Sequence, residues 1–116
     1  MAENNTIFGK ILRGEIPSEK VYDDERALAF KDINPAAPVH ILVIPKEHIV
    51  NLLDAEESHA ELLGHLMLVA AKVAREQGLE EDGFRLVANN GAGAGQTVFH
   101  LHLHVIGGRD LSWPPG

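Results

Sequence analysis

Apolar positions recur along the chain with two periods, and the changes between them mark off its elements. Phe8, Ile11 and Leu12 follow Asn5 and Thr6, either of which can cap a short helix that the Gly14–Pro17 region ends. Val21-Tyr22 and Ala27–Lys31 are short β-type runs on either side of Asp23-Asp24-Glu25, a pattern that predicts a hairpin. Asn34 to Pro38 predicts a loop, and His40–Ile44 a strongly apolar strand closed by Pro45. Ser58-x-x-Glu61 has the form of a capping box. Beyond it Leu62, Leu66, Val69, Ala70 and Val73 fall on one face of a long helix that Gly78 stops. Phe84–Ala88 and Val98–Ile106 read as a last pair of strands, joined by Asn89–Gln96 and ended by Gly107-Gly108. The pattern predicts an α+β fold with one long and one short helix.

Length and composition narrow this picture. At 116 residues the chain is one domain, with residues 1–5 expected to be flexible and 107–116 to form a tail. No apolar run approaches the roughly 20 residues that span a bilayer. The polar start MAENNTIF has no basic flank or apolar stretch, so no signal peptide is expected and a cytoplasmic location is the default. Without cysteine there is neither a disulfide nor a thiol nucleophile. A net charge of −7 argues against a nucleic-acid strand, whose phosphates demand clustered Lys and Arg. A single nucleotide remains open, because backbone N–H groups can hold its phosphate.

His100, His102 and His104 alternate with Leu101, Leu103 and Val105. On a strand, residues two apart share a face, so the three imidazoles would project together, roughly 6.7 Å apart at Cα. They could be ordinary surface or core histidines, though so regular a placement argues against it. They could bind a metal, since an H-x-H pair can chelate. Three in a row on one face converge poorly on one tetrahedral ion, however, and no cysteine or adjacent carboxylate completes a site. No metal and no cofactor is therefore expected. Catalysis fits best: a neutral imidazole is a competent nucleophile toward phosphorus, and a neighbouring histidine can carry the leaving group's proton.

The stretch Asn89-Asn90-Gly91-Ala92-Gly93-Ala94-Gly95-Gln96-Thr97 leads into those histidines. It lacks the Gly-Lys-Ser/Thr ending of a P-loop and no helix follows it. Its value comes from its position, because glycines let backbone N–H groups close on an anion beside the nucleophile.

His100-Leu-His-Leu-His-Val-Ile resembles the signature of the histidine-triad family. Thr6-Ile-Phe-Gly-Lys, Ile16-Pro17, Ala29-Phe30-x-Asp32-Ile33, Pro38-x-His40, Val43-Ile-Pro-Lys-x-His48, Gly107-Gly-Arg and Trp113-Pro-Pro-Gly resemble its Hint branch. The resemblance implies a HIT-like antiparallel sheet of about five strands and a two-fold homodimer. It implies hydrolysis of purine nucleoside 5′-phosphoramidates such as AMP joined to an amine. His102 matches the nucleophile, His104 the residue that contacts the α-phosphate and helps protonate the leaving group, and His100 and His40 the supporting histidines. Asn89, Gly95, Thr97 and Val98 match positions lining the phosphate and leaving group, and Asp32 the carboxylate that takes the ribose hydroxyls. Ile7, Phe8, Ile11, Phe30, Ile33 and Leu42 match the purine pocket. Trp113 belongs to a tail that, in this branch, reaches toward the partner's site. Thr97 departs from the more usual serine but keeps the hydroxyl. Cleavage of dinucleoside polyphosphates, as in the Fhit branch, and a nucleotide-binding adaptor role are the alternatives.

Overall fold

Thr6 opens the first helix with its own hydroxyl, which accepts a hydrogen bond from the Gly9 N–H, and α1 runs Ile7–Leu12. The structure is a computed structural model and describes residues 4–116. The strands are β1 (Lys20–Asp23), β2 (Ala27–Lys31), β3 (Val39–Pro45), β4 (Phe84–Val87) and β5 (Leu103–Gly107), and the long helix α2 covers Ala60–Glu76. They form one antiparallel sheet in the order β1-β2-β3-β5-β4. The HIT-like α+β architecture of the sequence is thus present, with its five strands, one long helix and one short helix. Among the described residues no helix is long and apolar enough to cross a membrane.

Two apolar clusters cover the two faces of the sheet. The larger gathers Leu62, Leu66, Val69, Ala70 and Val73 of α2 against Ile41, Val43, Leu101, Leu103 and Val105. The smaller packs Phe8 and Ile11 of α1 against Leu28, Phe30, Leu42 and Ile44. Because α1 is only 6 residues long, it covers part of its face and leaves room beside it. Asp24 holds the β1–β2 turn: its carboxylate accepts from the Arg26 and Ala27 N–H groups, Tyr22 Oη and His65 Nε2.

Two local expectations are corrected. Helix α2 is not opened by a Ser58/Glu61 box; Glu56 N–H instead donates to His59 Nδ1 at 2.9 Å, one turn earlier. The last strand begins at Leu103, not Val98. Val43 pairs with Leu103, so extending the ladder would place Pro45 opposite Leu101. Pro45 has no N–H to give, and its carbonyl is already taken by His100 Nε2 at 2.8 Å. Leu101 N–H turns to Ile49 O at 2.6 Å instead. His104 alone of the three histidines therefore lies on a strand, while His100 and His102 lie on the irregular segment leading into it.

Candidate active site

A cavity of about 270 Å³ lies beside α1, on the thinly covered face of the sheet. Ile7, Phe8, Ile11, Phe30, Ile33, Leu42 and Val98 line it, as do Asp32, Thr97, His102 and His104. These eleven expected positions therefore share one wall, joined by Ile16, Pro17, Ser18, Lys31 and Asn34. His100 and His40 sit behind that wall rather than in it. Asn89 and Gly95 lie close to one another on the glycine loop but outside the lining. Trp113 is 81% exposed and away from the cavity, its tail held by Arg85 Nη2 donating to Ser112 O at 2.9 Å.

Although the strand is shorter than expected, the imidazoles still gather on one side. The His102 and His104 rings are 4.9 Å apart, and Phe8 meets His102 edge-on at 4.9 Å. Phe8 thus fixes one side of the His102 ring while belonging to the apolar wall.

Hydrogen bonds determine which nitrogen of each ring carries the proton. His102 Nδ1 lies 2.7 Å from His100 O, and a carbonyl only accepts, so Nδ1 is the N–H and Nε2 holds the lone pair. His100 Nε2 likewise donates to Pro45 O. Ala36 N–H donates to His40 Nδ1 at 2.9 Å, which places the His40 proton on Nε2. That proton faces His104 Nδ1 at 2.9 Å, with Asp32 Oδ2 at 3.4 Å. His104 Nδ1 is then an acceptor, and its remaining N–H is at Nε2. The cavity thus meets one ring with a free lone pair and one with a free N–H, the complement a nucleophile and a proton donor require.

Burial favours the neutral form of His100, His102 and His104. Desolvation lowers the His102 pKa below its usual value, against the opposing effects of the His100 carbonyl and the Asp32 charge. Desolvation, with His102 and His40 adding to it, pushes His104 down to about 4. His100, wholly buried, is lowered to about 4, again chiefly by desolvation.

Among the described residues, Asp32, His40 and His104 are the group whose ligating atoms could meet on one metal ion, all within 4.8 Å of one another. The hydrogen bonds oppose it. His40 Nε2 carries a proton because Ala36 N–H occupies Nδ1, and moving that proton would set two donors against each other at 2.9 Å. His104 Nδ1 already spends its lone pair on that Nε2–H. With these protons in place, the donor set does not fit a metal.

Several supporting residues had no signal in the sequence. Gln96 is 2% exposed and uses its whole amide: Oε1 accepts from Gly91 N–H and Asn51 Nδ2, and Nε2 donates to Val50 O and Val98 O. It staples the glycine loop shut immediately before Thr97. Its neighbours Gly91 (φ 96°) and Gly95 (φ 98°) take backbone conformations that favour glycine. Ser18 Oγ, on a residue of the cavity wall, is buried without a hydrogen-bond partner among the described residues.

Comparison with known proteins gives the family of the chain. A HIT-like protein of Synechocystis sp. is 60% identical over 116 residues, the whole of both chains. A maize protein named 14 kDa zinc-binding protein is 53% identical over 98% of this chain and 90% of its own. The solved structure of a HIT family hydrolase from Legionella pneumophila superposes with a TM-score of 0.94 at 49% identity, covering 97% of this chain and 100% of that one. The HIT domain model matches residues 13–111, from the end of α1 through β5, and the chain therefore belongs to the HIT domain family.

Proposed function

We propose that this protein hydrolyses purine nucleoside 5′-phosphoramidates at the α-phosphorus, through a nucleotidyl-histidine on His102, as in the Hint branch that its motifs resemble. The observation that carries the reading is the His102 ring itself, whose Nδ1–H is held by the His100 carbonyl while the ring lines the cavity. Nε2 forms the bond to phosphorus as the P–N bond breaks, and the departing amine collects one proton from solvent by way of His104 Nε2. Water then attacks the same phosphorus, releases the nucleoside monophosphate, restores neutral His102 and returns a proton to solvent. Thr97, which lines the cavity, holds a non-bridging oxygen as charge builds; the N–H groups of Gly91, Ala94, Gly95 and Gln96 are already taken within the glycine loop. Ile7, Phe8, Ile11, Phe30, Ile33 and Leu42 stack on the purine, and Asp32 takes the ribose hydroxyls. The relative named as a hydrolase supports the reaction class.

Release of AMP from an adenosine phosphoramidate, with and without a chelator, tests this directly. Turnover unchanged by the chelator is the expected result, since the donor set does not fit a metal. Loss of turnover on chelation would move Asp32, His40 and His104 into a metal site. Binding of AMP without turnover would favour a nucleotide-binding adaptor.

We also propose a homodimer formed through α2 and the sheet edge at β4. Met67 (53%) and Leu68 (72%) of α2 are exposed, and β4 is an edge strand. Trp113, exposed on its own chain, would dock on the partner. Sedimentation velocity should give twice the chain mass; a monomer at micromolar concentration would remove this part of the reading.

A further inference from the structure

Asn4 lies before the region that matches the HIT domain model, yet its side chain touches the histidine core. Thr6 donates to Asn4 Oδ1 from both its backbone N–H at 3.1 Å and its hydroxyl at 2.7 Å. An N–H can only donate, so the acceptor oxygen faces Thr6, and the amide Nδ2 must be the atom 2.9 Å from His100 Nδ1. Arg13 Nη1 donates to Asn4 O at 2.6 Å and holds the backbone in place. Gly9 leaves room for it, since a Cβ there would come within 2.4 Å of Asn4 Cγ.

His100 is enclosed on every side. Its Nε2–H binds Pro45 O, the His48 ring stacks on it at 5.3 Å and 11°, and Phe8 meets it edge-on at 6.2 Å. With Asn4 Nδ2 donating to Nδ1, only the Nε2–H tautomer satisfies both ring nitrogens. The other tautomer would set N–H against N–H at Asn4 and a lone pair against the Pro45 carbonyl. The backbone carbonyl of His100 is in turn the group that holds His102 Nδ1–H.

From this chain of contacts we propose that Asn4 is a positioning residue: it locks His100 in one tautomer and orientation, and so holds His102 with its Nε2 lone pair ready. Its kinetic consequence rests on His102 being the nucleophile; its structural consequence does not. Asn4→Asp keeps the shape and the Thr6 contacts but turns the donor into an acceptor. The proton on His100 must then appear at Nδ1, alone or with Nε2.

The ¹⁵N signals of the His100 ring, with steady-state rates on an adenosine phosphoramidate, test this in the full chain. Wild-type protein should show a protonated Nε2 and a bare Nδ1, and Asn4→Asp a protonated Nδ1. In Asn4→Asp, kcat should fall about tenfold with KM within about twofold, as expected for a misaligned nucleophile and an intact pocket. Asn4→Ala should give mixed ring signals and a smaller loss. His100 signals unchanged by Asn4→Asp would overturn the proposal, as would shifted signals with an unaltered kcat or a change confined to KM. A wild-type protein with no turnover would fail the proposed function instead, and the ring signals alone would then decide the role of Asn4.

Discussion

His102→Ala should lower release of AMP from an adenosine phosphoramidate by about 10⁴-fold or more, while AMP itself still binds. The size of the effect follows from the role. A residue that only binds substrate contributes to ground state and transition state alike, whereas the nucleophile is the covalent path itself. Binding should survive because the cavity is lined by many side chains from α1, β2 and β3 together with Thr97 and Val98, and removing one imidazole leaves them in place. Some loss of affinity is expected, since the Phe8 edge now faces a void where the His102 ring lay at 4.9 Å. Titration calorimetry with AMP and a rate assay on the same preparation separate the two quantities. A rate within tenfold of wild type would exclude His102 as nucleophile. A wild-type sample quenched in alkali during turnover should also carry a nucleotidyl group on the peptide containing His102, and the variant should not.

What the sequence could tell about this site divides by the kind of interaction involved. The cavity wall was legible through the resemblance to the Hint branch; the apolar pattern by itself marks Phe8, Phe30 and Leu42 as buried positions and Asp32 as a turn residue, without saying that they border a cavity. The proton assignments were not, because each depends on a backbone group that only the folded chain aims at the ring: Pro45 O for His100, 55 residues away, but also the nearby Ala36 N–H for His40 and His100 O for His102. The alternation His100-Leu-His-Leu-His looked like a continuous strand, and two of its three histidines lie outside one. Period-2 patterning reports which side each residue faces, and that part held, since Leu101, Leu103 and Val105 are all in the core. It does not report whether the neighbouring strand can continue the ladder, and Pro45 there cannot. Asn4 and Gln96 carry no periodicity, and only their partners in space give them a role.

The same burial that keeps the histidines neutral should make the protein sensitive to mild acid. His100 and His104 titrate near 4 in the folded chain, chiefly through desolvation, and near 6.5 once unfolded. Between those values the unfolded chain binds protons that the folded chain refuses, so each proton taken up favours unfolding. The stabilisation is complete above about pH 6.5 and declines as pH falls toward 4. One pKa unit is worth about 1.4 kcal/mol, so at pH 5 each of the two rings should cost roughly 2 kcal/mol relative to neutral pH. His102, lowered in the same direction, adds to the loss. Urea unfolding at pH 7.5 and pH 5.0 should show the midpoint falling by about 1 M or more with an unchanged slope, since the two rings together cost about 4 kcal/mol and the slope is about 1–3 kcal/mol/M. Asp24 does not confuse the result. Desolvation opposes its ionisation, but hydrogen bonds from Tyr22, Arg26, His65 and Ala27 outweigh that and hold its pKa below the usual carboxylate range, so its contribution is lost only in stronger acid. A bound nucleotide sharpens the test, because its phosphate charge beside His104 favours the protonated ring and should recover part of the lost stability at pH 5. Equal midpoints at the two pH values would mean that water reaches these rings in the folded protein, and the neutral pair of imidazoles that the proposed chemistry uses would lose its physical basis.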